Sequence, residues 1–294
     1  MHTPVLLREV IKYLAPDSGE NFIDCTINGG GHSLAILQKI SPEGKLLGLD
    51  WDEQLLLKLK FKIRAENLIL ACDNFTNLKD IVEKHNFRPV NGILFDLGMS
   101  SWHLEKSQRG FSFLREELLD MRYRPQSPLK NLSAGEVINS FSRQDLKEIL
   151  QQYGEERFAG RIAEEIIRTR KKKAVTTTFD LVEVIKRATP RQYQKEKIHP
   201  ATRTFQALRI YVNKELDNLL QALPQALEIL EPAGRLVVIS FHSLEDRLAK
   251  NFFRTARQEG KLKILTKKPI QPTLEETMKN PRSRSAKLRA AIKI

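Results

Sequence analysis

Phe22 to Ser33 reads FIDCTINGGGHS. A short apolar run ends in Asp24, turns through Gly29-Gly30-Gly31 and opens a helical pattern at His32. Glycines let the backbone turn sharply and approach a ligand closely, which a Cβ would prevent. Past Gly31 a second apolar run, KLLGL, ends in Asp50, where a carboxylate can take both hydroxyls of a ribose. An ordinary α/β crossover would also use a glycine turn. With Asp50 added, the pattern implies a strand–turn–helix pocket for a ligand built on adenosine.

The dinucleotide fingerprint G-x-G-x-x-G fails in both registers. Counted from Gly29 its third glycine falls on Leu34, and counted from Gly30 its second falls on His32. No Gly-Lys-Ser/Thr follows the strand, so a P-loop is excluded as well. The strand-like runs end in Asp24, Asp50, Asp73 and Asp96. Carboxylates there suit a cofactor with hydroxyls, an amino group and a positive centre, and S-adenosylmethionine has all three and no phosphate.

Strand-like runs recur at 21–26, 45–50, 68–73 and 92–98, with helical patterns between them, as parallel βαβ units require. The helix expected from Asp52 carries Leu55, Leu56, Leu59, Phe61 and Ile63 among lysines. After Gly98 the rhythm stops. From Leu104 to Thr204 the chain reads as amphipathic helices: SAGEVINSF, RQDLKEILQQYG, EERFAGRIAEEIIRTR and TFDLVEVIKRA. The first and third start like N-caps or acidic first turns. Strand character returns at RLVVISFH, residues 235–242, and residues 260–280 suggest one edge strand. The expected domains are therefore an α/β unit of 1–103 and 205–294 and an inserted helical unit of 104–204. The insert would overhang the carboxyl ends of the strands and suits substrate recognition.

The chain of 294 residues carries a net charge of +13, which favours a polyanion, nucleic acid above all. The charge clusters in RTRKKK (Arg168–Lys173) and in a tail from Lys279 that has six basic residues and no acidic one. Cys25 and Cys72 lie in apolar runs and are expected as buried thiols, fitting a reducing cytoplasm. No run approaches a membrane span, and the N-terminus lacks a signal pattern. The six histidines stand at no metal-ligand spacing, so no metal site is expected.

In order along the chain stand HTPVLL, GGGHS, DLGMSS, RGFSF, LDMR, YGEERFA, HPATRTFQALRIYVNKEL, ISFHSLEDR and NPRSRSAKLR. Together they resemble the bacterial small-subunit rRNA cytosine-N4 methyltransferase family (RsmH/MraW), from His2 to Arg289. The resemblance implies a Rossmann-like class I methyltransferase sheet with an inserted all-helical domain. It implies S-adenosyl-L-methionine as cofactor and methyl transfer to N4 of a cytidine in the decoding region of 16S rRNA. The partner would be the small ribosomal subunit in the cytoplasm, and the enzyme a monomer or homodimer. Family cofactor contacts fall on Gly30, Gly31, His32, Asp50, Phe75, Asp96 and the position held by His103. The chain departs from the family at Cys25, at Asn28-Gly29, and at Trp102-His103 in place of Pro-Gln.

The exocyclic nitrogen of cytosine is a poor nucleophile because its lone pair is delocalised into the ring. Acceptors must draw that pair out of conjugation and aim it at the methyl, so positioning supplies most of the rate. Asp96, at the end of the fourth strand, is the candidate catalytic acceptor. The target base must be unpaired or flipped. Trp102 could stack on it, whereas Phe111 and Phe113 read better as core of the insert. Arg109, Arg203 and the Lys171-Lys172-Lys173 run are candidate RNA contacts. Arg209 reads equally as a partner for a carboxylate within the fold, and His242 as a structural residue at a strand end or a substrate contact.

Overall fold

The computed structural model describes residues 4–126 and 131–294, so His2 and Thr3 of the HTPVLL string lie outside the described residues. The chain divides into two compact units, Met1–Ser100 with Leu216–Ile294, and Ser101–Glu215.

In the first unit the described residues form one seven-stranded sheet in the order β3-β2-β1-β4-β5-β7-β6. The strands are β1 (Phe22–Asp24), β2 (Leu46–Asp50), β3 (Leu68–Cys72), β4 (Gly92–Asp96), β5 (Arg235–Ser240), β6 (Leu262–Ile264) and β7 (Lys287–Lys293). β3, β2, β1, β4 and β5 are parallel, and β7 runs antiparallel to both β5 and β6. Central strands such as Gly92–Asp96 are buried throughout because helices cover both faces. One face packs on helices Leu78–Lys84, Glu215–Ile229 and Ser243–Gln258. The other packs on helices Leu7–Leu14, Gly31–Ile40 and Glu53–Lys62. This is the doubly wound, Rossmann-like sheet expected from the sequence. Its strand order reverses between β1 and β4, which is where such sheets bind ligands.

Two expectations are corrected here. The tail whose clustered charge suggests a polyanion partner is in part built into the sheet: Lys287–Lys293 is β7, lodged between β5 and β6. Arg289 is buried against Asp246 at 2.7 Å, Lys287 lies 3.6 Å from the same carboxylate, and Lys293 donates to the Glu228 and Leu230 carbonyls. Leu288, Ala290 and Ala291 give this segment its strand pattern, which the flanking charges mask in the sequence. The second correction concerns the thiols. Cys25 is buried but Cys72 is exposed, because β3 is the edge strand at that side of the sheet.

The second unit is helical, with one isolated bridge, Leu118–Thr177, outside its helices. Helix Arg143–Gly154 packs on Ala159–Arg170 and on Thr202–Asn213. That last helix moves the boundary from the expected 204 to 215. A Cβ on Gly154 would stand 2.6 Å from the Arg203 carbonyl, so the bare glycine lets the two helices meet. Phe205 and Leu208 are buried along the same helix. The first boundary falls at 100 rather than 103, which places Trp102 and His103 in this unit. Capping boxes start the helices at Ser133, Ser142 and Thr177. The helix from Ala159 has no side-chain cap, since its N-cap residue is Phe158, which has no side-chain acceptor; Glu156 just before it accepts from the Phe158 N–H and the Tyr193 hydroxyl.

Candidate active site

The site is built at the carboxyl ends of β1, β2 and β4. Asp24 closes β1 and is buried. Its carboxylate accepts the Ser33 hydroxyl at 2.6 Å and the Thr26 N–H at 3.2 Å. Burial pushes this carboxyl up from its ordinary value, against the lowering effect of the Ser33 hydrogen bond. The turn that follows needs its glycines. Gly30 has φ 76°, and a Cβ there would stand 2.6 Å from Ile63 Cδ1; at Gly31 it would stand 3.0 Å from Pro4. Asn28 adopts φ 47°, a left-handed conformation that asparagine tolerates better than most residues. Helix Gly31–Ile40 begins at this turn, so the N–H groups of Gly31, His32 and Ser33 precede its first bond, Leu34 to Gly30.

Asp96 ends β4 beside this turn and is 5% exposed. Its N–H donates to Thr26 Oγ1 at 2.6 Å, and its Oδ1 accepts the Gly98 N–H at 3.2 Å. Its Oδ2 lies 3.5 Å from His32 Nδ1, and His32 Nε2 lies 2.9 Å from the Val5 carbonyl. A carbonyl only accepts, so Nε2 carries the hydrogen of that bond. The buried imidazole thus lies between the Val5 carbonyl and the Asp96 carboxylate. The Asn28 amide donates to the Gly98 carbonyl at 3.3 Å and to the Asp96 carbonyl at 3.5 Å, tying the glycine turn to the DLG loop.

On the neighbouring strand, half-buried Asp50 accepts the Asp52 N–H at 2.9 Å. Phe75 lies in a short 3-10 turn after β3, its half-exposed ring meeting Phe95 edge-on at 5.6 Å. Lys62, the lysine at the turn, donates to the Gly29 carbonyl at 3.0 Å. The structure therefore brings His32 to within 3.5 Å of Asp96, with Gly30 and Gly31 in the turn that precedes and opens the His32 helix. Asp50 and Phe75 stand at adjacent strand ends.

The remaining candidates belong to the helical unit. His103 is buried among Trp102, Phe111 and Tyr123, with ring centroids at 5.2, 5.3 and 4.9 Å. The Arg109 guanidinium lies 5.1 Å from the Trp102 ring and donates to the Tyr123 carbonyl at 2.8 Å. Phe111 is buried and stacks on Tyr123, so its ring is core of the unit as expected, whereas Phe113 is half-buried and stacks on His199. Lys171, Lys172 and Lys173 are exposed after helix Ala159–Arg170, and Lys173 pairs with Asp180 at 3.3 Å. Arg203 donates to the Tyr193 hydroxyl at 3.3 Å. Arg209 forms a two-point pair with Glu215. In the first unit His242 caps helix Ser243–Gln258, receiving the Glu245 N–H.

Sequence reasoning missed Thr26, Asn28 and Ser33 as parts of the network, and the Val5 carbonyl as the anchor of His32. The short polar side chains around the glycines were the available signal. The Val5 contact spans distant sequence and had none.

The chain matches the model of the MraW methylase family over residues 1–294. Among curated relatives it is similar to ribosomal RNA small subunit methyltransferase H of Heliobacterium mobile, 44% identical over 100% of this chain and 99% of that one. The protein of the same name from Finegoldia magna is 41% identical over 100% and 98% of the two chains. That from Sulfurihydrogenibium is 44% identical over 100% and 99%.

Proposed function

Because the chain belongs to the MraW methylase family, we propose that it methylates N4 of a cytidine in the decoding region of 16S rRNA, with S-adenosylmethionine as methyl donor. The observation that carries this reading is the end-to-end likeness to small-subunit rRNA methyltransferases at 41% and 44% identity. Similarity over the full length of both chains retains the sheet and the inserted unit together.

The residues present fit the cofactor. The glycine turn leaves a cradle that a Cβ at Gly30 or Gly31 would fill. Asp50 supplies a carboxylate for vicinal hydroxyls and Phe75 an apolar face for a purine. The lysine at the turn is spent on a backbone carbonyl, so the site is built for hydroxyls and amines and not for a diphosphate. When bound, S-adenosylmethionine supplies a methyl group on a positively charged sulfur. Asp96 accepts hydrogen from the cytosine amino group and orients its nitrogen lone pair. Thr26 and Gly98 hold the Asp96 backbone and carboxylate in place beforehand, so little reorganisation is needed in the transition state. No strong base is required, since the amine becomes acidic once alkylated. Trp102, Arg109, Arg203 and the Lys171–Lys173 run are the helical unit's proposed RNA contacts. Among the described residues no helix is long and apolar enough to cross a membrane, and this reading puts the enzyme on the small ribosomal subunit in the cytoplasm.

The test is incubation with tritiated S-adenosylmethionine and small subunits lacking the modification, followed by nucleoside analysis of the rRNA. Label on N4 of a cytidine is the expected result. Label confined to another nucleoside or to ribosomal protein sinks the assignment.

A further inference from the structure

Pro4, Val5 and Leu6 are each held by a different part of the α/β unit. The Pro4 ring packs on the glycine turn, since a Cβ on Gly31 would stand 3.0 Å from its Cβ, Cγ and Cδ. His32 Nε2 donates to the Val5 carbonyl at 2.9 Å. The Leu6 N–H donates to Glu276 Oε1 at 2.7 Å, from a residue 270 positions away in sequence. Pro4 and Val5 thus bear on the two residues that open helix Gly31–Ile40, and Leu6 ties them to the segment between β6 and β7.

Leu6 needs that tie. It is buried and adopts φ 55° and ψ 34°, a left-handed conformation that is costly for leucine and persists only where the surroundings impose it. It is also the N-cap of helix Leu7–Leu14, which has no side-chain cap hydrogen bond. In a capping box the acid at the third helical position, here Glu9, would accept the N-cap N–H. Glu276 does so instead, from near the other end of the chain. Its own position is fixed. The Glu276 N–H donates to Thr273 Oγ1 at 3.2 Å at the start of helix Leu274–Lys279, and a bridge between Ile270 and Leu288 ties the segment to β7.

The geometry points to Glu276 as a positioning residue for S-adenosylmethionine. By holding Leu6 it keeps Pro4 and Val5 seated on Gly31 and His32, so the cofactor turn is formed before the ligand arrives. A turn that had to be ordered on binding would lose affinity by that ordering. The inference rests on the assignment of the glycine turn to the cofactor and is independent of the RNA substrate.

The experiment compares wild type, E276A, E276Q and a control, E275Q, whose exposed carboxylate pairs only with Lys279 among the described residues. Affinity for S-adenosylmethionine and S-adenosylhomocysteine is measured by calorimetry. Hydrogen exchange of the Leu6 and Gly31–Leu34 amides in the unliganded protein and the melting temperature are measured beside it. E276A should weaken both ligands about tenfold and speed exchange at Leu6 at least about tenfold. E276Q keeps the Oε1 acceptor and should stay within about twofold of wild type, as should E275Q. Should E276A not fold, E276D shortens the reach by one methylene and keeps the charge, and weaker cofactor binding is expected there too. Wild-type affinity in E276A, or in E276D where E276A does not fold, overturns the proposal. So does a lowered melting temperature with affinity intact well below the transition, which is the mark of a merely structural contact. A loss in E276Q equal to that in E276A also overturns it, because the charge and not the acceptor would then matter. Neither readout uses RNA, so methyl transfer to an acceptor other than cytidine refutes the functional reading and leaves Glu276 to be judged by these affinities.

Discussion

Replacing Arg289 by methionine tests whether the C-terminal basic segment is structural. The Arg289 side chain is 9% exposed and that of Asp246 13%. Two hydrogen bonds join them, at 2.7 and 3.1 Å. Methionine keeps most of the buried stem and removes the charge, leaving Asp246 with Lys287 at 3.6 Å as its ion partner among the described residues. Breaking a buried pair from one side costs about 3–5 kcal/mol, and Lys287 brings the expectation to the lower end, about 3 kcal/mol. At about 2–4 °C per kcal/mol for a domain of this size, the melting temperature should fall by about 6–12 °C.

The effect carries a pH signature. Burial works to raise the Asp246 carboxyl, but the Arg289 hydrogen bonds and charge, with help from Lys287, outweigh it and hold the group below its ordinary value of 3.8. A carboxyl held low in the folded state contributes stability above its unfolded value and loses it as pH falls through the folded one. The gap between wild type and R289M should thus be constant near neutrality and close only below about pH 4. The assay is thermal unfolding by circular dichroism from pH 3 to 8, with D246N/R289M as a third protein. The double variant should recover part of the loss, since no buried charge is then stranded. A melting temperature within about 1 °C of wild type, or a gap undiminished at the acid end, refutes the argument that this pair anchors β7.

Asp96→Asn should lower kcat by about 10²–10³, the range for losing one preorganised polar contact to a transition state; wild-type turnover in the tritium-transfer assay would remove Asp96 from the mechanism. Asp50→Ala should weaken cofactor binding about 10- to 100-fold by calorimetry, corresponding to about 1.5–3 kcal/mol for hydrogen bonds to a charged group. An unchanged Kd would place the ribose elsewhere. Asn28→Gly keeps the left-handed backbone but loses the amide links to Asp96 and Gly98; kcat should fall about tenfold while the subunit KM holds. In a maleimide time course Cys72 should label in the native protein and Cys25 only after unfolding, since Cys25 is buried and its thiol is pushed well up by that burial and by Asp24; native labelling of Cys25 would contradict the β1 packing.

The sequence made some features readable because they arise locally. Alternating apolar runs, a glycine turn and acids at strand ends follow from backbone geometry within a dozen residues, so β1, β2, β4 and the cofactor turn could be read directly. β5 was legible for the same reason. β7 was not, because its strand pattern is carried by Leu288, Ala290, Ala291 and Ile292 between charged residues. A solvated basic tail and a buried strand with satisfied charges look alike until Asp246 is brought across from another helix. The boundary at 204 went astray similarly, since what binds helix Thr202–Asn213 to its unit is the bare face of Gly154.

By itself, then, the sequence determined the type of pocket, the doubly wound sheet and the existence of a helical insert, all consequences of short-range periodicity and turn chemistry. Only the tertiary structure decided which charges are spent. It commits Arg289 and Lys287 to Asp246 and turns the His32 imidazole to Val5 and Asp96. The physical reason is that a charge is neutralised or left in water by what lies within a few ångströms of it, and those neighbours come from parts of the chain far apart in sequence.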